Sequence, residues 1–160
     1  MNSIPSEKKL PKRILGIDYG QKRLGLAISD ERKIIATPLI TFLAEQRSEQ
    51  TVAKFIDYIT KLQESNKYII EEMVIGLPLM MNGTTGLLAD EVKHFVSLLE
   101  KSCAIPIKTW DERLSTVQAE RSLREGHMTR RQRTKVVDTV SATIILQSYL
   151  DSKGNTFALS

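Results

Sequence analysis

Apolar and polar positions along the chain alternate first with the period of strands and later with the period of helices. Arg13–Asp18 (RILGID), Leu24–Ser29 (LGLAIS) and Lys33–Ile40 (KIIATPLI) are three β-rich runs, separated by turns at Tyr19–Arg23 and Asp30–Arg32. Connections that short permit only hairpins, so the three runs predict an antiparallel meander. Between Glu45 and Ser65, Val52, Phe55, Ile56, Ile59 and Leu62 recur at helical spacing. Met73–Gly76 (MVIG) reads as a short buried strand closed by Leu77-Pro78, and a loop over Leu79–Gly86 follows with Asn82-Gly83 as its turn signal. Leu88, Val92, Phe95 and Leu99 trace a second helix, and Ile105–Trp110 (IPIKTW) a fifth strand in which Pro106 must sit at the start or edge. Ser115-x-x-Gln118 predicts the start of a third helix ending at Gly126, and Thr129-x-x-Gln132 the start of a last one reaching about Leu150.

This order predicts one mixed α/β domain: a three-strand antiparallel meander plus two parallel strands, with helices on both faces. Right-handed crossovers make the fourth and fifth strands parallel to the first, which leaves the first strand central. The domain is expected over residues 13–151, with a flexible tail at 1–12 and a polar tail at 152–160. A length of 160 residues suits a single domain. With 41% hydrophobic and 26% charged residues, the composition excludes a disordered or collagen-like chain. No apolar run approaches the ~18 residues of a membrane span, and Met1–Arg13 lacks the apolar stretch of a secretory signal. Cytoplasm is the expected compartment, and no membrane partner is expected.

One cysteine, Cys103, cannot form a disulfide within the chain, and His94 and His127 show no zinc-ligand spacing. Hydrolytic chemistry would therefore rest on carboxylates, lysines or hydroxyls. Asp18 ends the central strand within Gly16-Ile17-Asp18-Tyr19-Gly20, and the end of a central strand where a parallel crossover begins is where such sheets place ligands. Asp111 and Glu112 end the fifth strand, and only one of these neighbours can share the face of Asp18. Asp138 heads the stripe Ala142, Ile145 and Tyr149 on the last helix, so it lies on a packing flank and not on the solvent side. Three carboxylates from two strand ends and one helix suit Mg²⁺ or Mn²⁺, hard cations that prefer oxygen ligands. Two such ions about 3.5–4 Å apart activate a water and stabilise the leaving oxygen of a phosphodiester.

Charge adds a second signal. The chain carries a net +4, yet Arg121, Arg124, Arg130, Arg131, Arg133 and Lys135 stand against Glu125 alone in the stretch Arg121–Lys135. Such a block attracts phosphate backbones or acidic partners, and a solvated helix end is the plain alternative. Lys22 and Arg23 in the first hairpin offer further charge, where Gly20 and Gly25 would let a backbone approach. Arg113 either orients the neighbouring Glu112 or contacts a phosphate. Tyr19 and Trp110 offer faces for base stacking, but single aromatics at strand ends are more often core filler.

Gly16-Ile-Asp-Tyr-Gly20 with Lys22-Arg23-Leu-Gly25-Leu-Ala, Val74-Ile-Gly-Leu-Pro78 with Asn82-Gly83, Asp111-Glu-Arg-Leu-Ser-Thr116, and Val137-Asp138 with Ile144-Ile-Leu-Gln147 together resemble the YqgF/RuvX family. The resemblance spans roughly Arg13 to Asp151. It implies a ribonuclease H-like fold and a metal-dependent nuclease of the two-metal-ion type, holding Mg²⁺ or Mn²⁺. The family is linked to maturation of the 5′ end of 16S ribosomal RNA and was earlier named for Holliday junction resolution. Its acidic trio carries over as Asp18, Glu112 and Asp138, which favours Glu112 over Asp111. Ser141 departs from the alanine usual in the family pattern, and serine is small enough to keep the helix close.

Precursor 16S ribosomal RNA in a pre-ribosomal particle is then the expected partner, with branched DNA as the alternative. Lys22, Arg23, Arg113, Arg124, Arg130, Arg131, Arg133 and Lys135 are the candidate nucleic-acid contacts. A junction resolvase would need two active sites and so a dimer; the sequence leaves monomer and weak dimer open. Two other classes compete: a non-catalytic nucleic-acid-binding module, and a nucleotide-binding ATPase suggested by Asp18-x-Gly20, which would need a second such domain.

Overall fold

The protein's structure, a computed structural model, describes residues 9–80, 82–83, 86–113 and 130–158, with the side chains of 130–138 and 155–158 outside that description. Strand β1 (Lys12–Tyr19) forms an antiparallel meander with β2 (Arg23–Ser29) and β3 (Ala36–Leu43). Helix α1 (Ser48–Asn66) then crosses to β4 (Ile69–Leu77), and α2 (Leu87–Ser102) crosses to β5 (Ile107–Asp111). Both later strands run parallel, β4 against β1 and β5 against β4. The sheet order is β3-β2-β1-β4-β5, so β1 is central as expected. Helix α3 (Arg130–Ala158) packs along β1, β2 and β3. The expected helix from Ser115 to Gly126 lies outside the described residues, and among those described no helix is long and apolar enough to cross a membrane.

Several boundaries differ from the apolar pattern, each for a local reason. The third strand begins at Ala36 and not at Lys33, because Asp30 Oδ1 accepts the N–H groups of Ile34 (2.7 Å) and Ile35 (3.0 Å) and Lys33 turns with φ 60°. The fourth strand starts four residues early, at Ile69. Glu71 and Glu72 break its apolar run, yet Glu71 pairs with Lys33 and Glu72 accepts the Tyr149 hydroxyl (2.5 Å). The fifth strand starts after Pro106, whose carbonyl accepts Met73 N–H (2.9 Å). The last helix runs on to Ala158 where a polar tail was expected from 152, and Lys153 ties the added turns down on Glu72 and over the Tyr149 ring.

Alternation along the strands divides the core. Leu15 and Ile17 of β1 face α1 and α2, where Phe42, Phe55, Phe95 and Leu99 fill a cluster of large side chains. Ile14 points the other way, into a smaller cluster with Ala27, Val74, Ala142, Ile145 and Leu146 under α3. Gly16 shares that second face. A Cβ there would lie 2.7 Å from Leu146 Cβ and 3.1 Å from the Ala142 carbonyl oxygen, so only glycine lets α3 lie this close.

Candidate active site

Asp18 follows Ile14 and Gly16 on the α3 face of β1, near the C-terminal edge of the sheet. Glu112 comes from one residue past β5, where its N–H donates to the Leu77 carbonyl (3.2 Å) and extends the parallel ladder. Between β1 and β5 lies β4, which sets the two backbones apart by two strand spacings, about 9.6 Å. Gly76 removes the obstacle. A Cβ on Gly76 would sit 2.6 Å from Glu112 Cγ and 2.6 Å from Ile145 Cδ1, so the glutamate lies across the bare glycine. There the Glu112 carboxyl comes within hydrogen-bonding reach of Asp18.

Burial pushes Glu112 above the ordinary glutamate range; the Asp18 hydrogen bond works against this, and the nearby Asp111 charge adds to it. Asp111 faces the other way and belongs to Arg113. Its Oδ1 accepts the Arg113 backbone N–H (3.0 Å) and Nε–H (3.0 Å), and Oδ2 accepts from Nη2 (2.6 Å). These bonds hold Asp111 below the usual carboxylate range and Arg113 above its own.

The structure therefore brings two of the three sequence-selected carboxylates into contact. Asp138 lies in α3 one turn before Ala142, and its side chain is outside the described residues. Among the described residues, no group of three or more His, Cys, Asp or Glu is placed to hold a metal ion. Lys22 and Arg23 occupy the β1–β2 hairpin at the same end of the sheet as Asp18, where a Cβ on Gly20 would meet the Arg23 carbonyl at 2.7 Å. That glycine serves the tight turn. Arg124 lies outside the described residues; Arg130, Arg131, Arg133 and Lys135 lie in the first turns of α3, with side chains likewise outside.

Both aromatics at strand ends are packed. Trp110 donates its indole N–H to Ser148 Oγ (3.1 Å) and meets Tyr149 edge-on, and Tyr19 lies against Phe95 on the opposite face. Sequence reading gave Gly76, inside a quoted motif, no role, and it singled out Arg113 without its partner Asp111. A glycine ending an apolar strand opposite two acidic strand ends was the available signal. A cavity of about 440 Å³ lies on the α1–α2 face, lined by Tyr19, Gln21, Glu45, Asp90, Glu91 and His94. With three acids and no lysine or arginine in its lining, it does not suit a phosphate.

A family model described as RuvX, Holliday junction resolvase, matches residues 12–152. A protein of Protochlamydia amoebophila named as a candidate pre-16S rRNA nuclease is 66% identical over 146 residues, covering 91% of this chain and 97% of that protein. One from Caldanaerobacter subterraneus subsp. tengcongensis with the same name is 46% identical over 144 residues, covering 89% and 99%. Among solved structures, Thermus thermophilus RuvC superposes with a TM-score of 0.52 at 13% identity, over 90% of this chain and 97% of that one. RuvC bound to a Holliday junction substrate gives 0.53 at 14%, over 91% and 97%. At such identities the likeness speaks for the fold, which is ribonuclease H-like. With a family model matching residues 12–152 and two thirds of the aligned residues shared with a relative, the chain belongs to the RuvX family of nucleases.

Proposed function

We infer that this chain hydrolyses RNA phosphodiester bonds with divalent metal ions, and that its substrate is the 5′ end of precursor 16S ribosomal RNA. The observation that carries the reading is the Asp18–Glu112 carboxyl pair, drawn together across Gly76 at the C-terminal edge of the central strands. Two carboxyls set side by side fit a divalent cation, because the cation offsets their mutual repulsion and meets only hard oxygen donors. Asp138 completes the set on backbone grounds. Ala142 of α3 lies over Gly16, and α3 runs antiparallel to β4, with Tyr149 at Glu72 and Ile145 at Gly76. One helical turn back from Ala142 is about 6 Å and two strand residues on from Gly16 about 6.6 Å, a match that supports position 138 as the third ligand.

When bound, Mg²⁺ or Mn²⁺ supplies positive charge to the phosphate and an acidified water for in-line attack, in the two-ion manner if both sites fill. The chain's own residues do the rest. Asp18 and Glu112 hold negative charge at a rigid strand edge. Lys22, Arg23 and the basic first turns of α3 draw phosphates to that edge. The names of the relatives support RNA as substrate, and the reading puts the protein in the cytoplasm with ribosome precursors.

Asp18→Asn, Glu112→Gln and Asp138→Asn are each expected to abolish Mg²⁺- or Mn²⁺-dependent cleavage while the fold persists. Retained cleavage in Asp138→Asn alone removes the third ligand, and retained cleavage in all three removes the enzyme reading. In depleted cells, 5′-extended 16S precursor is the expected product. Normal 16S ends with accumulated recombination intermediates would instead mark branched DNA as the substrate.

A further inference from the structure

The Asp111–Arg113 pair has no part in the chemistry above, and its geometry is unusually specific. Asp111 Oδ1 accepts both the backbone N–H and the Nε–H of Arg113 at 3.0 Å, while Oδ2 accepts Nε–H at 2.9 Å and Nη2 at 2.6 Å. One carboxylate thus binds the backbone and the planar fork of the residue two places on, which closes a turn around Glu112. Glu112 is held from the other side by its N–H on Leu77, and its side chain has a bare glycine to cross. Adjacent acids are thereby sent to opposite fates: Asp111 to an arginine at the surface, Glu112 inward to Asp18.

We propose that Asp111 and Arg113 act together as positioning residues that hold Glu112 in its metal-binding orientation, neither being a metal ligand nor a phosphate contact in its own right. The proposal rests on the reading of Glu112 as a ligand. Two physical effects support it. The turn fixes the backbone angles from which the Glu112 side chain departs, and partners that orient a ligand in this way typically set metal affinity by about 10- to 100-fold. Arg113 also cancels the Asp111 charge, so Asp111 offers a cation no competing site beside Glu112. The loop after β4 leaves room for this arrangement: Gly83 turns with φ 84°, and even a Cβ there would lie 3.6 Å from Arg113 Nη1.

The test measures Mn²⁺ binding to the metal-free full chain by calorimetry, without nucleic acid, for Asp111→Ala, Arg113→Ala, the double variant and Arg113→Lys. Acting as a unit, both single variants weaken Mn²⁺ about 10-fold and the double variant is no worse than either. Arg113→Lys, which keeps the charge and loses the fork, stays weak. RNA binding in the presence of chelator stays unchanged in all four. If Arg113→Ala binds Mn²⁺ as well as or better than the parent while Asp111→Ala loses it, Asp111 is itself a ligand and the proposal fails. If Arg113→Ala leaves Mn²⁺ affinity intact but weakens RNA binding and flattens its salt dependence, Arg113 is a phosphate contact and the proposal also fails. Glu112→Gln in the same series separates the two levels of argument: unchanged Mn²⁺ affinity there overturns the ligand reading itself. Circular dichroism of each variant confirms that only folded protein is compared.

Discussion

The two faces of the sheet are packed on opposite principles. Against α1 and α2 the strands present large side chains, and Phe42, Phe55, Phe95 and Tyr19 meet ring against ring at centroid distances of 5.0 to 6.2 Å. Against α3 they present Gly16, Gly76 and Ala27, met by Ala142 from the helix. The first face removes more apolar surface from water and carries more of the stability. The second sacrifices that area for closeness, and closeness is what a cluster of short carboxylates requires. The same division holds at the polar edge, where the aromatic face has an acid-lined cavity and the glycine face has the carboxyl pair.

The comparison breaks most visibly at Phe55, which is fully buried. Phe55→Ala should cost about 3–5 kcal/mol by thermal or urea unfolding. Cleavage per folded molecule, measured well below the new midpoint, should remain near that of the parent. A large loss of activity in protein shown to be folded would mean that the aromatic face also sets the site.

Gly76→Ala should invert that result. Its methyl group meets Glu112 and the movable end of Ile145, so unfolding should shift by only about 1–3 kcal/mol. Displacing Glu112 by a fraction of its length should lower cleavage about 100-fold. Activity within a few-fold of the parent would show that the glutamate has another route to Asp18.

The smallest effect sharpens the comparison at the carboxyl pair itself. Burial raises the Glu112 pKa in the metal-free protein, so the folded state holds that proton more tightly than the unfolded chain does. The corresponding stability is complete below the ordinary glutamate range and is lost as pH rises through the folded-state pKa. With chelator present, Glu112→Gln should therefore match the parent near pH 4 and exceed it in melting temperature at pH 7 to 8. Parallel melting curves across that window would mean that Glu112 carries no buried charge.

How much of this was legible beforehand follows from the range of each interaction. Hairpin connections and helical periodicity are local, so the meander, both crossovers and the central position of β1 could be read from spacing alone. Residues whose role depended on a distant partner were misread or passed over. Glu71 and Glu72 disguised the first half of β4 because Lys33 and Tyr149, which make them tolerable there, are far away in sequence. Lys153 likewise extends α3 through a contact with Glu72 that no helix signal near Leu150 announces.

The acidic site divides in the same way. By itself the sequence determined that carboxylates would end the central strand and the fifth strand, because residue order places a charge after each apolar run. Which of Asp111 and Glu112 turns inward was not a local matter. Resemblance favoured Glu112, but the physical cause is tertiary: β4 lies between the two acidic strand ends, its residue at that level is Gly76, and Asp111 is already held by Arg113. A missing side chain has meaning only once its neighbours are known, and those neighbours are supplied by strand order, which packing decides.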